Sequence, residues 1–184
     1  MRFWVASVAL GCGLITAALA LVRTQAEHQR VQLTQDVAPN APPVFLDPHQ
    51  MQQVFINLIL NALQAMPQGG RLTIRASVKR LTDPGVGIGQ RAEDVFQVGQ
   101  TVLACEIEDT GIGIPNAILP NVFNPFFTTK PPGEGVGLGL SITSSIIQGH
   151  HGAIYIASQE GHGTTVSVYL PLPFAPGKGG MSHG

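Results

Sequence analysis

Two hydrophobic rhythms alternate along the chain, and each predicts its own kind of element. Between Gln53 and Met66 the apolar residues Val54, Leu58, Ile59, Leu60 and Leu63 recur at helical spacing. They supply more apolar surface than a solvent-facing helix needs, so this helix is expected to be largely buried. Its start is written in Asp47-Pro48-His49-Gln50. Asp47 can cap, Pro48 suits the first helical position, and Gln50 falls where a capping-box glutamine belongs. Pro67-Gln68-Gly69-Gly70 stops it. A second helix is expected over 140–148, with Leu140, Ile142, Ile146 and Ile147 on its apolar face. Period-two alternation predicts strands over 31–37, 71–79, 101–108, 152–158 and 164–170. In the second of these Leu72, Ile74, Ala76 and Val78 point inward. Gly161-His162-Gly163 joins the last two. Pro39, Pro42 and Pro43 make an extended linker, and residues 80–100 read as a long, mobile hairpin loop. Gly85 to Gly89 imitates a phosphate loop, but no helix follows it directly.

The first residues carry two competing patterns. Residues 3–22 hold no charge, and twenty helical residues span about 30 Å, enough to cross a bilayer. From about residue 16 to 30, however, Leu19, Val22 and Ala26 alternate with Arg23, Glu27 and Arg30, as in an amphipathic surface helix. The expected organisation is an apolar segment over 1–15, extending to about 22 if it spans a membrane. One domain follows over 16–173, then a fraying tail over 174–184.

Composition narrows the classes. The 184 residues carry a net charge of −1 with 11% charged, which leaves no basic footprint for nucleic acid. Glycine is abundant at 22 residues, yet 44% of the chain is hydrophobic, so the glycines shape loops in a folded domain. Cys12 and Cys105 lie far apart, which argues against a disulfide framework or zinc site and suits a reducing compartment.

Candidate chemistry begins on the first helix. Gln53, Asn57 and Asn61 recur at i, i+4 and i+8, a spacing that drifts about 40° per step and so forms one stripe. Amides on an apolar helix need partners, either a neighbouring backbone or a ligand such as a hydrated metal. Gly133-Glu134-Gly135-Val136-Gly137-Leu138-Gly139 opens the 140–148 helix, where glycine backbone and a helix N-terminus favour an anion. No Lys-Ser/Thr follows, so this is not a Walker loop. Asp109-Thr110-Gly111-Ile112-Gly113 closes a strand, and its carboxylate could read a purine amino group while the glycines leave room for a flat base. An ordinary Asp-x-Gly turn is the alternative. Phe126-Phe127-Thr128-Thr129-Lys130 ends in a lysine that could meet phosphate or simply face water.

In this order the segments resemble the GHKL ATPase superfamily. Asn57-Leu58-Ile59-Leu60-Asn61-Ala62-Leu63-Gln64-Ala65-Met66 and Pro125-Phe126-Phe127-Thr128-Thr129-Lys130 look like the catalytic and ATP-binding domain of nitrogen-regulator-like sensor histidine kinases. The resemblance covers roughly residues 16–173. It implies an α/β (α+β) two-layer sandwich, a mixed, mostly antiparallel sheet with helices on one face. It implies ATP and Mg²⁺ as cofactors, Asn61 as the metal ligand and Asn57 near the phosphates. Gln53 stands where relatives carry Glu or Gln and would orient water. Asp109 would read adenine, with Gly111 and Gly113 shaping the pocket. Phe126, Phe127, Thr129 and Lys130 match the lid, Lys130 with a catalytic role. Gly135, Val136, Gly137, Leu138 and Gly139 match the second glycine box. Thr164 or Thr165 would close the adenine side. Val136 departs from the threonine common in relatives.

Such a domain transfers the γ-phosphoryl of Mg·ATP to a histidine on a dimerisation domain, and through it to a response regulator. His28, His49, His150, His151, His162 and His183 all lie outside such an acceptor context, so the acceptor is expected on a separate domain, with dimerisation only in the full-length context. The implied location is the cytoplasm, with inner-membrane anchoring if residues 3–22 span. A non-catalytic ATP-binding regulatory module is the main alternative. An ATP-gated clamp and a sigma-factor-regulating serine kinase are two more.

Overall fold

The computed structural model describes residues 4–6, 8–38, 44–81, 88–89, 95–131 and 135–172, with side chains from Gly13 onward. Its elements in chain order are β1 (Trp4–Ala6), α1 (Val8–His28), β2 (Val31–Val37), β3 (Val44–Leu46), α2 (Pro48–Gln64), β4 (Gly70–Arg80), β5 (Ile88–Gly89), β6 (Thr101–Asp109), a 3₁₀ turn (Leu119–Asn121), α3 (Gly139–Gly149), β7 (Ala153–Gln159) and β8 (Gly163–Pro171). Six strands form one sheet in the order β2-β4-β6-β8-β7-β5. Only β2 and β4 run parallel; the other neighbours are antiparallel. The two short strands β1 and β3 pair separately.

Period-two alternation decides which face is covered. Leu72, Ile74 and Ala76 of β4, Cys105 and Ile107 of β6, Val166 and Val168 of β8, and Ile154 and Ile156 of β7 share one core with the helices. Helix α2 sits in the middle of the helical layer, packed against α1 on one flank and α3 on the other. Its buried residues are Met51, Val54, Phe55, Leu58, Ile59, Ala62 and Leu63. Full burial of each large one contributes roughly 1.5–3 kcal/mol. The other sheet face carries the ion pairs Arg75–Glu108 and Lys79–Glu106. Leu81 and Phe96 cover one end of it, over Val102 and Ala153.

Several expectations change here. Val78 was expected inward but is exposed, because β4 runs past the edge of the helical layer. Ile142 faces outward, and Thr143 with Ile147 makes the buried contact of α3. Ile88–Gly89, expected in a loop, pairs with β7 as an edge strand; residues 82–87 and 90–94 lie outside the described residues. The proline linker over 39–43 and the tail over 174–184 also lie outside them.

Of the two patterns that compete over the first residues, 15–26 follow that of the amphipathic helix. No helix among the described residues is long and apolar enough to cross a membrane. Helix α1 runs through the boundary drawn at residue 16, and Ile15, Ala18, Val22 and Ala26 form a buried stripe in the shared core. Their spacing of three, four and four residues is that of an amphipathic helix on a protein core.

Both caps of the α2–α3 pair are defined by hydrogen bonds. The Asp47 carboxylate accepts from the backbone N–H of His49 and Gln50, as the sequence suggested. The Asp47 N–H does not go to Gln50: it donates to His150 Nε2 at 2.9 Å. Helix α3 ends in a Schellman turn, with His151 N–H donating to the Gln148 carbonyl and Gly152 N–H to the Ile147 carbonyl. His151 occupies the left-handed position, at φ 56°, where glycine is usual. We expect His151→Gly to raise stability by about 1 kcal/mol, read as a higher urea midpoint at constant m-value. An unchanged or lower midpoint would show that the backbone strain is relieved elsewhere.

Candidate functional site

The site forms where β6 ends beside the β7–β8 hairpin and the C-terminal end of α2. Asp109 is the last residue of β6, paired with Leu72 on one side and Thr164 on the other. The residue is only 6% exposed, and its carboxylate accepts from the Gly111 N–H at 2.8 Å. Burial pushes its pKa above the ordinary aspartate value; backbone hydrogen bonds from Gly111 and Thr164 pull the other way, and Glu108 adds a smaller upward push. Of the two threonines expected at the closing hairpin, Thr164 shares the face of Asp109, and its hydroxyl lies 2.9 Å from Ser158 Oγ. Thr165 pairs with Glu108 and so points to the opposite face of the sheet. Thr165 is thereby removed from the site.

The turn 109–114 is tied to three elements. Ile112 N–H donates to the Ala65 carbonyl of α2's C-cap, and Gly161 N–H donates to the Ile112 carbonyl. Ile114 N–H donates to Ser158 Oγ at 2.8 Å. Thr110 Oγ1 accepts from the Arg71 N–H at 3.0 Å. The glycines serve this docking. A Cβ on Gly111 would lie 2.5 Å from the Ala65 carbonyl oxygen, and one on Gly113 would lie 2.1 Å from that of Gln159. A side chain at either position would therefore push the turn off its neighbours.

The glycine segment before α3 is seated in the same way. A Cβ on Gly137, at φ 70°, would meet the Phe126–Phe127 peptide at 2.5 Å, and one on Gly135 would meet Lys130 Cδ at 2.9 Å. These glycines seat the segment on the Phe-Phe-Thr-Thr-Lys stretch. Gly139 alone of the three has no atom within 4 Å of its Cβ direction, which leaves the N-terminus of α3 approachable. Val136 is exposed, and Leu138 precedes the helix as its N-cap residue without a side-chain cap bond. Among the described residues no side chain caps the first N–H groups of α3, the arrangement that suits an anion.

The amide stripe of α2 is not buried, contrary to expectation. Gln53 and Asn61 are exposed, and Asn57 is half-buried. The helix buries only the face toward the sheet, and the stripe lies along its rim. Asn57 Nδ2 donates to the Gly139 carbonyl at 3.4 Å, which ties the stripe to the start of α3. Asn61 stands one turn on. Lys130 Nζ donates to Gln64 Oε1, so the lysine lies against the same helix. Phe127 packs against the core, while Phe126 is 71% exposed with a left-handed backbone, and Thr129 is exposed.

The donor set tests the implied metal. Among the described residues no cluster of His, Cys, Asp or Glu could hold a metal ion by itself. One exposed amide, Asn61, fits a Mg²⁺ that arrives with phosphate oxygens and keeps its waters. The residues therefore suit a metal carried by a nucleotide and not a resident ion.

Sequence reasoning missed Ser158, Gln64 and His150. Gln64 could have been found by extending the stripe one step, from Asn61 to i+3. Ser158 and His150 act through partners distant in the chain and left no local signal.

A sheet covered on one face by three helices, with a buried carboxylate, an approachable helix N-terminus and an amide-lined helix at one end, defines an ATPase domain of the histidine-kinase type. The chain belongs to the histidine kinase-, DNA gyrase B-, and HSP90-like ATPase family, whose model matches residues 46–174. It is 38% identical over 157 residues to sensor kinase CckA of Brucella abortus (strain 2308), covering 85% of this chain and 16% of that protein. It is 35% identical over 159 residues to sensor histidine kinase ZraS of Escherichia coli (strain K12), covering 86% and 30%. With the sensory histidine kinase/phosphatase NtrB of Klebsiella oxytoca it shares 38% identity over 144 residues, covering 77% and 37%. The chain thus spans a minor part of each relative's length. The catalytic domain of histidine kinase ThkA superposes with a TM-score of 0.70 at 24% identity, over 93% of this chain and 96% of that one.

Asp109 yields a signed prediction. Its pKa is raised on folding, so the native state holds the proton more tightly than the unfolded chain does. Stability from this group is therefore greatest at low pH and falls as pH rises from the unfolded carboxylate range through the raised native value. We expect Asp109→Asn to lack that decline and to unfold at pH 7 at a temperature no lower than wild type. Parallel thermal melts from pH 3 to 8 check this; a destabilised Asn variant at pH 7 would show that the ionised carboxylate stabilises the turn.

Proposed function

We propose that the chain binds Mg·ATP in the cleft between α2, the 109–114 turn and the glycine segment. It would then donate the γ-phosphoryl to a histidine on a separate dimerisation domain, which passes it to a response regulator. The observation that carries this reading is that α2 touches both the turn that follows Asp109, through the Ala65 carbonyl, and the start of α3, through Asn57 and Gly139.

Each residue takes a role that its position supports. Asp109 accepts a hydrogen bond from the adenine amino group, held by the backbone N–H groups of Gly111 and Thr164. The N–H groups at Gly139 and the first turn of α3 receive the phosphate chain. Asn61 would offer its side-chain oxygen to Mg²⁺, and Asn57 ties the stripe to the start of α3. When bound, Mg²⁺ neutralises charge on the phosphate oxygens. Lys130, now on Gln64, is placed to exchange that amide for a phosphate oxygen, with Phe127 anchoring the lid and Thr129 exposed on it. Gln53 cannot act as a base at neutral pH and would orient water or the incoming group. The acceptor histidine nitrogen forms a bond to the γ-phosphorus as the bond to the β–γ bridging oxygen breaks, and ADP leaves with that electron pair. Catalysis is then positioning and charge neutralisation. The domain would work in the cytoplasm.

A second reading, a regulatory ATP-binding module without transferase activity, is favoured by the neutral Gln53 and by Val136, which brings no hydroxyl to the phosphate side. Calorimetry of ATP binding with and without Mg²⁺ tests the site. We expect removal of Mg²⁺, or Asn61→Ala with Mg²⁺ present, to weaken binding about tenfold or more, the scale of one lost metal or phosphate contact. Wild-type binding indifferent to both changes would sink the role of Asn61. Labelled ATP with an isolated dimerisation domain separates the two readings: phosphohistidine on that domain excludes the pure binding module.

A further inference from the structure

His150 is buried, 7% exposed, and uses both ring nitrogens. Nε2 lies 2.9 Å from the Asp47 backbone nitrogen, and Nδ1 lies 2.8 Å from the Ile146 carbonyl oxygen. A backbone N–H can only donate and a carbonyl can only accept. The ring must therefore be neutral, with its proton on Nδ1 and a lone pair on Nε2. The result is a bond from the C-cap of α3 to the N-cap of α2, across a sequence separation of 103 residues.

At the opposite end of α3, and midway along α2, Asn57 Nδ2 donates to the Gly139 carbonyl. The two contacts are ten residues apart on α2 and eleven apart on α3, from Asp47 to Asn57 and from Gly139 to His150. At 1.5 Å rise per residue these spans match to within about 2 Å. Helix α3 is thus held at both of its ends, to the N-cap and the middle of α2, and a slide of α3 along α2 must break at least one of the two contacts. The slide would also move the N-terminus of α3 relative to Asn57 and Asn61.

We propose that His150 is a positioning residue for nucleotide binding. Its Nδ1–H tautomer sets the register of α3 on α2, and with it the distance from the phosphate-facing N–H groups of α3 to the amide stripe. This rests on the ATP reading of the cleft. His150 touches no nucleotide itself and acts through Asp47 and Gly139. It is also excluded as a phosphoacceptor, since neither ring nitrogen is free.

The test compares wild type, His150→Ala and His150→Gln in the 184-residue chain. We expect His150→Ala to bind Mg·ATP about tenfold more weakly, the scale of an ångström-level misplacement of binding groups. His150→Gln should recover most of that affinity, because its amide oxygen can accept from the Asp47 N–H. Nitrogen NMR of the wild-type imidazole should show Nδ1 protonated and Nε2 bare. The amides of Gly139 and Leu140 should shift in His150→Ala. Equal ATP affinity in the Ala variant, absence of rescue by Gln, or a proton on Nε2 would overturn the proposal. If wild type fails to bind ATP, the reading of the cleft fails. The clamp is then judged by the ring-nitrogen signals and the Gly139 amide shift, which need no nucleotide. Should His150→Ala not fold, the Gln variant and the wild-type ring signals decide.

Discussion

The site depends on backbone approaching backbone more closely than any Cβ allows. At Gly111, Gly113, Gly137 and Gly163 an added carbon would lie 2.0 to 2.6 Å from a carbonyl carbon or oxygen of another segment. Gly163 presses on the Asp109 carbonyl, Gly113 on Gln159, Gly111 on Ala65 and Gly137 on Phe126–Phe127. These contacts fasten the 109–114 turn between α2 and the β7–β8 hairpin, and the glycine segment onto the Phe-Phe-Thr-Thr-Lys stretch. A larger residue at any of them would displace a functional segment without touching a ligand. The glycines thus hold the segments that carry the candidate site residues, and of Gly135, Gly137 and Gly139 only Gly139 faces open space in its Cβ direction.

Asp109 shows what that assembly holds in place. A carboxylate buried at the end of a central strand raises the free energy of its ionised form, and two backbone N–H groups offset only part of the cost. A purely structural turn would be better served by a neutral side chain. The residue therefore belongs to those whose local preference opposes the fold and is overridden by its surroundings.

What the sequence disclosed divides along the range of the interaction. The strand over Val31–Val37 was legible to the residue because alternation is local. The Asp47 cap was legible because Asp-Pro at a helix start is a two-residue signal. The partner of the Asp47 N–H was not, because His150 lies far along the chain and a capping glutamine stood in the expected place. Val78 continued the alternation of β4, but no pattern in the strand says where the helical layer ends. The amide stripe was read as buried because the apolar residues around it are dense. Periodicity counts them without saying that the sheet covers only half the helix. The three-residue strands β1 and β3 are too short for any period to register.

The order of the strands carries a consequence for the chain's own entropy. Residues from the end of β6 to the start of β7 hold the turn, the lid and α3, and both ends of this excursion are fixed on the same sheet. β8 lies between those two strands and pairs with each. The ends are therefore held at a set separation by a six-stranded ladder that does not depend on what lies between them. Closing such an excursion costs only about 0.6 kcal/mol more for each doubling of its length. An excursion between these strands can therefore change in length at small expense to the sheet, while the strand order stays fixed.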